Sequence, residues 1–235
     1  MSKLATYIDH TILKPTTSHI EINRICKEAL EYGFAAVCVP PPFVVLARST
    51  GVRTATVIGF PFGYSAWRAK LAEVELALED GADELDIVIN LVALRAGDWS
   101  RLEFEMRTLT GPIHGAGRLV KVIIESGILT DDEIIRCCAI YGGIGVDFLK
   151  TSTGYAEKGA TVEAVRLMRA HLPSNVRIKA SGGIRTYALA RQLIDAGADR
   201  LGCSASVEII KGEAATGGRG EAAAGGRGEA ATGEY

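Results

Sequence analysis

The sequence predicts an α/β fold, a single (β/α)8 TIM barrel followed by a flexible Gly/Ala-rich C-terminal tail. Eight short runs rich in β-branched residues recur at intervals of about 19 to 35 residues, the size of one βα unit. Stretches of helical period fill the intervals. Glycine is also uneven: 8 of the 27 fall in the last 24 residues, an octad repeat (GEAATGGR, GEAAAGGR, GEAATGEY) that offers nothing to bury before Tyr235.

The first run, 6–10, is followed by a helical stretch at 18–32 and a second run at 35–39. The third run is 54–60, and the helix after it, 66–80, ends at Gly81, a residue suited to the left-handed C′ position. The fourth and fifth runs are 84–90 and 119–125. A helix at 130–141 opens with Thr130 and Glu133 in capping-box spacing. Then come a run at 147–153, a helix at 161–171, a run at 176–181, a helix at 186–196 ending at Gly197, and the last run at 200–204. Eight such units with short links imply a closed barrel. The alternative, an open doubly wound sheet, would carry a Gly-rich phosphate fingerprint after its first strand, and none is present. The expected organisation is a barrel catalytic domain at 1–211 and a low-complexity tail at 212–235.

Composition narrows the function classes. With 48% apolar and 23% charged residues the chain can bury a real core. A net charge of −2 leaves no electrostatic footprint for nucleic acid, and no apolar run approaches a membrane span, so neither is expected as a partner. The opening MSKLATYIDH lacks the apolar core of a secretory signal. Five cysteines without CxxC spacing form no disulfide framework, which fits a cytoplasmic location.

The strands break the rule that parallel, helix-covered strands are continuously apolar. In 84–90, Leu85, Ile87 and Ile89 share one face and Asp86 the other; in 119–125, Lys121 and Glu125 share a face. Lys150 in 147–153, and Arg177 with Lys179 in 176–181, repeat the pattern. If the apolar faces meet the helices, Asp86, Lys121, Glu125, Lys150, Arg177 and Lys179 point into the barrel. Buried charge is costly unless paired. A structural ion-pair network is one reading, and a parity shift of one residue is another. The functional reading is an amine whose pKa is lowered by burial and by neighbouring cations, able to attack a carbonyl and form a Schiff base. Lys150 and Lys179 lie on adjacent strands, with Asp86 as a proton relay or partner.

Other chemistries find less support. The four histidines are scattered, and no HExxH or paired-Cys pattern occurs, so neither a metal nor another cofactor is expected. The Gly154-x4-Gly159 spacing has Ala160 where a P-loop needs Lys, and there is no GxSxG elbow. A phosphate site is better supported. Gly154, Gly182-Gly183 and Gly202-Cys203-Ser204 follow or end the last three strands, where such barrels hold phosphate on backbone N–H groups.

Several motifs recur together in one known family: Asp9-His10-Thr11-Ile12-Leu13-Lys14-Pro15, Gly59-Phe60-Pro61-x-Gly63, Glu84-Leu85-Asp86, and Lys121-Val122-Ile123-Ile124-Glu125. They are joined by Lys150-Thr151-Ser152-Thr153-Gly154 and Lys179-Ala180-Ser181-Gly182-Gly183-Ile184-Arg185. Over nearly all of 1–211 the chain resembles the deoxyribose-phosphate aldolases. The resemblance implies a class I, metal-free lyase. It would reversibly cleave 2-deoxy-D-ribose 5-phosphate to D-glyceraldehyde 3-phosphate and acetaldehyde, in deoxyribonucleotide catabolism. It implies Lys150 as the Schiff-base lysine, Lys179 as the cation that lowers its pKa, and Asp86 as proton donor and acceptor. Thr153, Gly154, Gly182, Gly183, Gly202 and Ser204 would bind the phosphate end, and Asp9, Thr11 and Cys38 the sugar. Partners would be the phosphosugar and aldehyde substrates and further copies of the chain, as a homodimer or homotetramer. Two positions depart from the family pattern: Tyr155 stands where many relatives are basic, and Ala205 where many have a second serine. Both changes weaken the implied phosphate grip. Tyr235 stands where some relatives have a terminal tyrosine that folds over the site. A different phosphosugar lyase or isomerase, and a barrel that binds a sugar phosphate without turnover, are the rival expectations.

Overall fold

The computed structural model describes the backbone of residues 2–224 and the side chains of 2–215. After a 3-10 turn at Ala5–Tyr7 come β1 (Ile8–Thr11), α1 (His19–Tyr32), β2 (Ala36–Val39), α2 (Val44–Ser49), β3 (Thr54–Ile58) and α3 (Trp67–Glu79). There follow β4 (Glu84–Val88), α4 (Leu91–Arg95), α5 (Trp99–Gly115), β5 (Leu119–Ile123), α6 (Asp131–Ile144) and β6 (Phe148–Lys150). The described residues close with α7 (Val162–His171), β7 (Arg177–Ser181), α8 (Tyr187–Asp195), β8 (Arg200–Cys203) and α9 (Ser206–Ala224). All strands are parallel and close in chain order, with β1 paired to both β2 and β8. The register Asp9↔Gly202 closes the barrel and removes the open-sheet alternative.

The helices start where the sequence supplies caps. Ser18 and Thr130 form capping boxes with Glu21 and Glu133, and Thr161 and Thr186 accept from the third residue of α7 and α8. Each such cap contributes about 1 kcal/mol. Strand parity is as expected: Leu85, Ile87, Val120, Val122, Leu149, Ile178 and Leu201 face outward into the buried layer under the helices. Inside the barrel lies a small apolar cluster, Cys38, Ala55 and Val57, with Leu13 and Phe60 against it. Among the described residues, no helix is long and apolar enough to cross a membrane.

Several boundaries differ from expectation, and β3, β4 and β5 each end two residues early. The first strand starts two residues later, because residues 5–7 wind into a turn closed by Tyr7 N–H on the Leu4 carbonyl (3.0 Å). The sixth strand stops at Lys150, freeing Thr151–Thr153 for side-chain hydrogen bonds. The repeat expected as a flexible tail from residue 212 instead continues α9 to Ala224. That helix is anchored by buried Ile209 and half-buried Val207 and Ile210, so nucleation is complete before the repeat begins, and Ala and Glu then propagate it. Tyr235 lies outside the described residues.

The loop after β3 shows how tightly the site end of the barrel is built. Gly59 N–H donates to Glu73, and Lys70 donates to the Val88 carbonyl (2.8 Å) and to Glu105. Gly63 has φ +68°, and a Cβ there would lie 1.8 Å from the Ile89 carbonyl oxygen. We expect Gly63→Ala to destabilise the fold by at least about 2 kcal/mol, from left-handed strain plus displacement of the β4 end. Urea denaturation at neutral pH reads this, and a midpoint equal to that of the unaltered chain would disprove it.

Candidate active site

Barrel closure brings the inward residues of six strands into one buried layer. Asp86, on β4, is its hub. Its Oδ1 accepts from Lys121 Nζ (2.6 Å), and its Oδ2 accepts from Lys150 Nζ (2.7 Å) and Lys179 Nζ (2.8 Å). Lys121 also meets Glu84 (2.6 Å), with Asp9 at 3.9 Å. Lys179 also donates to Asp9, which is shared with Arg200 from β8. Arg200 approaches Glu84 at 3.5 Å, and Arg53 reaches it at 3.0 Å from outside the layer. Below lies the Phe148 ring, with Arg177 4.0 Å from its centre and Arg200 at 5.5 Å, which gives these cations a face of negative potential.

The electrostatics follow from who touches whom. Burial acts to raise the Asp86 carboxyl, but Lys121, Lys150 and Lys179 outweigh it and hold it well below the usual carboxylate range. Asp9 behaves alike: burial raises it, Lys179, Lys121 and Arg200 lower it further, and it is held at about 2. Burial also acts against the ammonium of each lysine. Lys179, with Asp86 and Asp9 against it, is nevertheless raised above its ordinary value, and so is Lys121, with Asp86 and Glu84. Lys150 has Asp86 alone within ion-pair distance; burial, with Lys179 adding to it, prevails and its pKa is lowered. Burial is thus the larger cause and the neighbouring cation the lesser. A neutral Lys150 leaves Lys121, Lys179 and Arg200 facing Asp9, Glu84 and Asp86, three charges against three.

Lys150 is also where the layer meets open space. A cavity of about 350 Å³ stands over the barrel mouth, and of these three lysines only Lys150 lines it. Thr11, Thr153, Gly154, Gly182, Gly183, Gly202 and Ser204 line it too, as the sequence placed them. Asp9, Cys38, Asp86 and Lys179 are fully buried and do not line it. Cys38 sits in the small apolar cluster, where burial pushes its thiol pKa up. The Thr11 hydroxyl donates to the Asp9 carbonyl (2.9 Å). At Gly202 a Cβ would lie 2.8 Å from the Ser181 Cβ and 3.1 Å from the Lys179 Cε, so that position must be bare for Lys179 to reach Asp86.

Glu125, expected on the inward face of its strand, lies past the end of β5 with φ +56°. Its carboxylate accepts the Thr153 N–H (3.3 Å) and the Thr153 hydroxyl, and so fixes the loop after β6. Sequence reading missed Glu84 and Arg200 in the charged layer and Ser181 and Arg185 at the cavity. Glu84 had a signal, since it shares the parity of Asp86. Arg200 opens its strand, where a charge reads as solvated. Arg185 lies in the Gly182-Gly183-Ile184-Arg185 run but no strand parity points it anywhere. Among the described residues, no group of three or more His, Cys, Asp or Glu could hold a metal ion.

Comparison with known proteins gives the family and the fold. The sequence model described as DeoC/LacD family aldolase matches residues 3–212. A deoxyribose-phosphate aldolase of Thermococcus gammatolerans is 47% identical over 215 residues, covering 89% of this chain and 96% of that one. Among solved structures, an aldolase called QR15 superposes with a TM-score of 0.86 at 38% identity, over 92% of this chain and 98% of that one. A deoxyribose phosphate aldolase from Aeropyrum pernix, described as uniquely tetrameric, gives 0.84 at 32% identity, over 91% and 92%.

Because the Asp9 pKa is depressed, its contribution to stability is present above its unfolded pKa and is lost as pH falls through its folded value of about 2. We therefore expect on the order of 2 kcal/mol of stability to disappear between roughly pH 4 and pH 2, with the Asp86 contribution persisting to lower pH still. Denaturant titrations across that range check this. A stability that rises as pH falls through the window would contradict it.

Proposed function

The chain belongs to the DeoC/LacD family of aldolases, and on that premise we propose that it reversibly cleaves 2-deoxy-D-ribose 5-phosphate to D-glyceraldehyde 3-phosphate and acetaldehyde through a Schiff base on Lys150. One observation carries the assignment: Lys150 is the lysine of the charged layer that lines the cavity and whose pKa is lowered.

The neutral Nζ of Lys150 attacks the aldehyde carbon of the open-chain sugar. The carbinolamine loses water to give an iminium, which draws the electrons of the C2–C3 bond as the 3-hydroxyl gives up its proton. Glyceraldehyde 3-phosphate departs and an enamine remains. Protonation at C2 and hydrolysis release acetaldehyde and return the amine. Proton traffic falls to Asp86, held as a carboxylate against Lys150 Nζ, and through it to Lys179, an ammonium on the same Asp86 oxygen. Gly154, Gly182 and Gly183 present backbone at positive φ beside Gly202, Ser204 and the guanidinium of Arg185, and this end of the cavity takes the phosphate. Thr153, tied to Glu125, positions that loop, and Thr11 lines the sugar side, with Asp9 and Cys38 buried behind the cavity wall. The working form is a homodimer or homotetramer in the cytoplasm, in line with the tetrameric description of the Aeropyrum pernix relative.

Borohydride added with acetaldehyde should fix one two-carbon adduct on Lys150, read by peptide mass spectrometry, and Lys150→Ala should carry none. An unaltered chain without the adduct would overturn the assignment. Lys179→Leu removes the like charge that helps keep Lys150 neutral. The limb on which kcat/KM rises with pH should then move to higher pH, and activity near neutrality should fall by about 100-fold or more. An unmoved limb would remove Lys179 from this role.

A further inference from the structure

Arg200 is the cation of the charged layer that the reaction leaves without a task. It opens β8 at the end of the barrel away from the mouth, two residues before Gly202 and level in register with Lys179. It does not line the cavity and makes no ion pair with Lys150. Its guanidinium meets Asp9 Oδ1, from β1, and stands 3.5 Å from Glu84 Oε2, from β4. Lys179, from β7, takes the other Asp9 oxygen, and Lys121, from β5, shares the same Glu84 oxygen at 2.6 Å. Exposed Arg53 reaches the second Glu84 oxygen at 3.0 Å. From β6 the Phe148 ring lies 5.5 Å from the guanidinium, with Arg177 of β7 on the same ring at 4.0 Å. Burial acts against the Arg200 charge, but Asp9 and Glu84 outweigh it and raise its pKa, so this cation is constant wherever Lys150 titrates. Around Lys150 itself stand Asp86 of β4, Lys179, the Cys38 thiol of β2 and, past the end of β5, Glu125.

The place of Arg200 decides how three acids are divided. While it holds Asp9 and Glu84, Lys179 and Lys121 each share their charge between two acids, and both stay on Asp86. Asp86 is then already occupied when it meets Lys150, and a fourth cation would exceed what the acids balance. Without Arg200, Asp9 would draw Lys179 and Glu84 would draw Lys121, which leaves Asp86 to hold Lys150 as an ammonium. Building on the aldolase reading above, we propose that Arg200 is a positioning residue of the reaction, which keeps Lys150 an uncharged nucleophile from the far end of the barrel by occupying the acids that would otherwise pull the other lysines off Asp86. Glu84 is its counterweight. Take away that acid, and Lys121, Lys179 and Arg200 face only Asp9 and Asp86, which favours the neutral amine still more. Both residues act through the network and touch no substrate.

The test follows kcat/KM for cleavage of 2-deoxyribose 5-phosphate against pH. It uses the unaltered full-length chain, Arg200→Met, Glu84→Gln and the double variant, with borohydride trapping of acetaldehyde on Lys150 run in parallel. The limb on which kcat/KM rises with pH reports loss of the Lys150 proton in the free protein. Arg200→Met should carry that limb up by about one pH unit, a loss of about tenfold at any pH on the limb. Glu84→Gln should carry it down by about as much. In the double variant two acids again face two cations, and the limb should return to within about 0.3 unit of its original place. Damaged packing would lower kcat/KM at every pH without moving the limb in opposite directions. A limb that fails to rise in Arg200→Met, or fails to fall in Glu84→Gln, overturns the proposal. If Arg200→Met does not fold, the direction of the shift in Glu84→Gln decides alone. An acetaldehyde adduct on Lys150 of the unaltered chain upholds the aldolase reading through such a failure, and absence of the adduct brings down both.

Discussion

A single carboxylate, Asp86, faces three ammonium-bearing side chains inside a closed barrel, and the rest of the site is arranged around that arithmetic. Taking charges out of water costs several kcal/mol each unless they are paired. The molecule meets that cost by giving each strongly charged lysine a second acid, Glu84 for Lys121 and Asp9 for Lys179. Lys150 gets no second acid. Its amine is therefore the member of the layer for which losing the proton relieves the site, and it is the one at the cavity wall. Reactivity here is the residue of an ion-pair network that balances when one of its members is neutral.

That network needs the scaffold around it. Outward-facing Leu, Ile and Val let the strands be covered by helices, which leaves only the inward faces free for charge. Bare backbone at Gly202 admits the Lys179 side chain between β7 and β8. Bonds from Glu125 to Thr153 and from Glu73 to Gly59 hold the loops that rim the cavity. Lys150 and the glycines after the last three strands share one mouth because parallel strands all end on the same side.

Much of this was legible in the linear chain. Parity alone put Asp86, Lys121, Lys150 and Lys179 on inward faces, and the glycines after the last strands marked the anion end. Glu84 went unread although it shares the face of Asp86, because a charged residue opening a strand passes for a solvated end. Arg200 was hidden for the same reason. The relative weight of burial and neighbouring charge on Lys150 was not legible, since sequence spacing shows neighbours but not exclusion of water. α9, anchored by Ile209, runs into the repeat as far as Ala224, and the rest of the tail lies outside the described residues.

By itself, then, the sequence determined the class of fold, the order of its units and the set of charged side chains turned inward. Local periodicity decides all three, and it is written in adjacent residues. Only the tertiary structure decided which lysine of the layer lines the cavity and which acids pair the others. The partners of Lys179 and Arg200 come from β1 and β4, and Tyr155 reaches Leu13 and Phe60. Those contacts join positions more than ninety residues apart along the chain, and they exist because the eighth strand closes on the first.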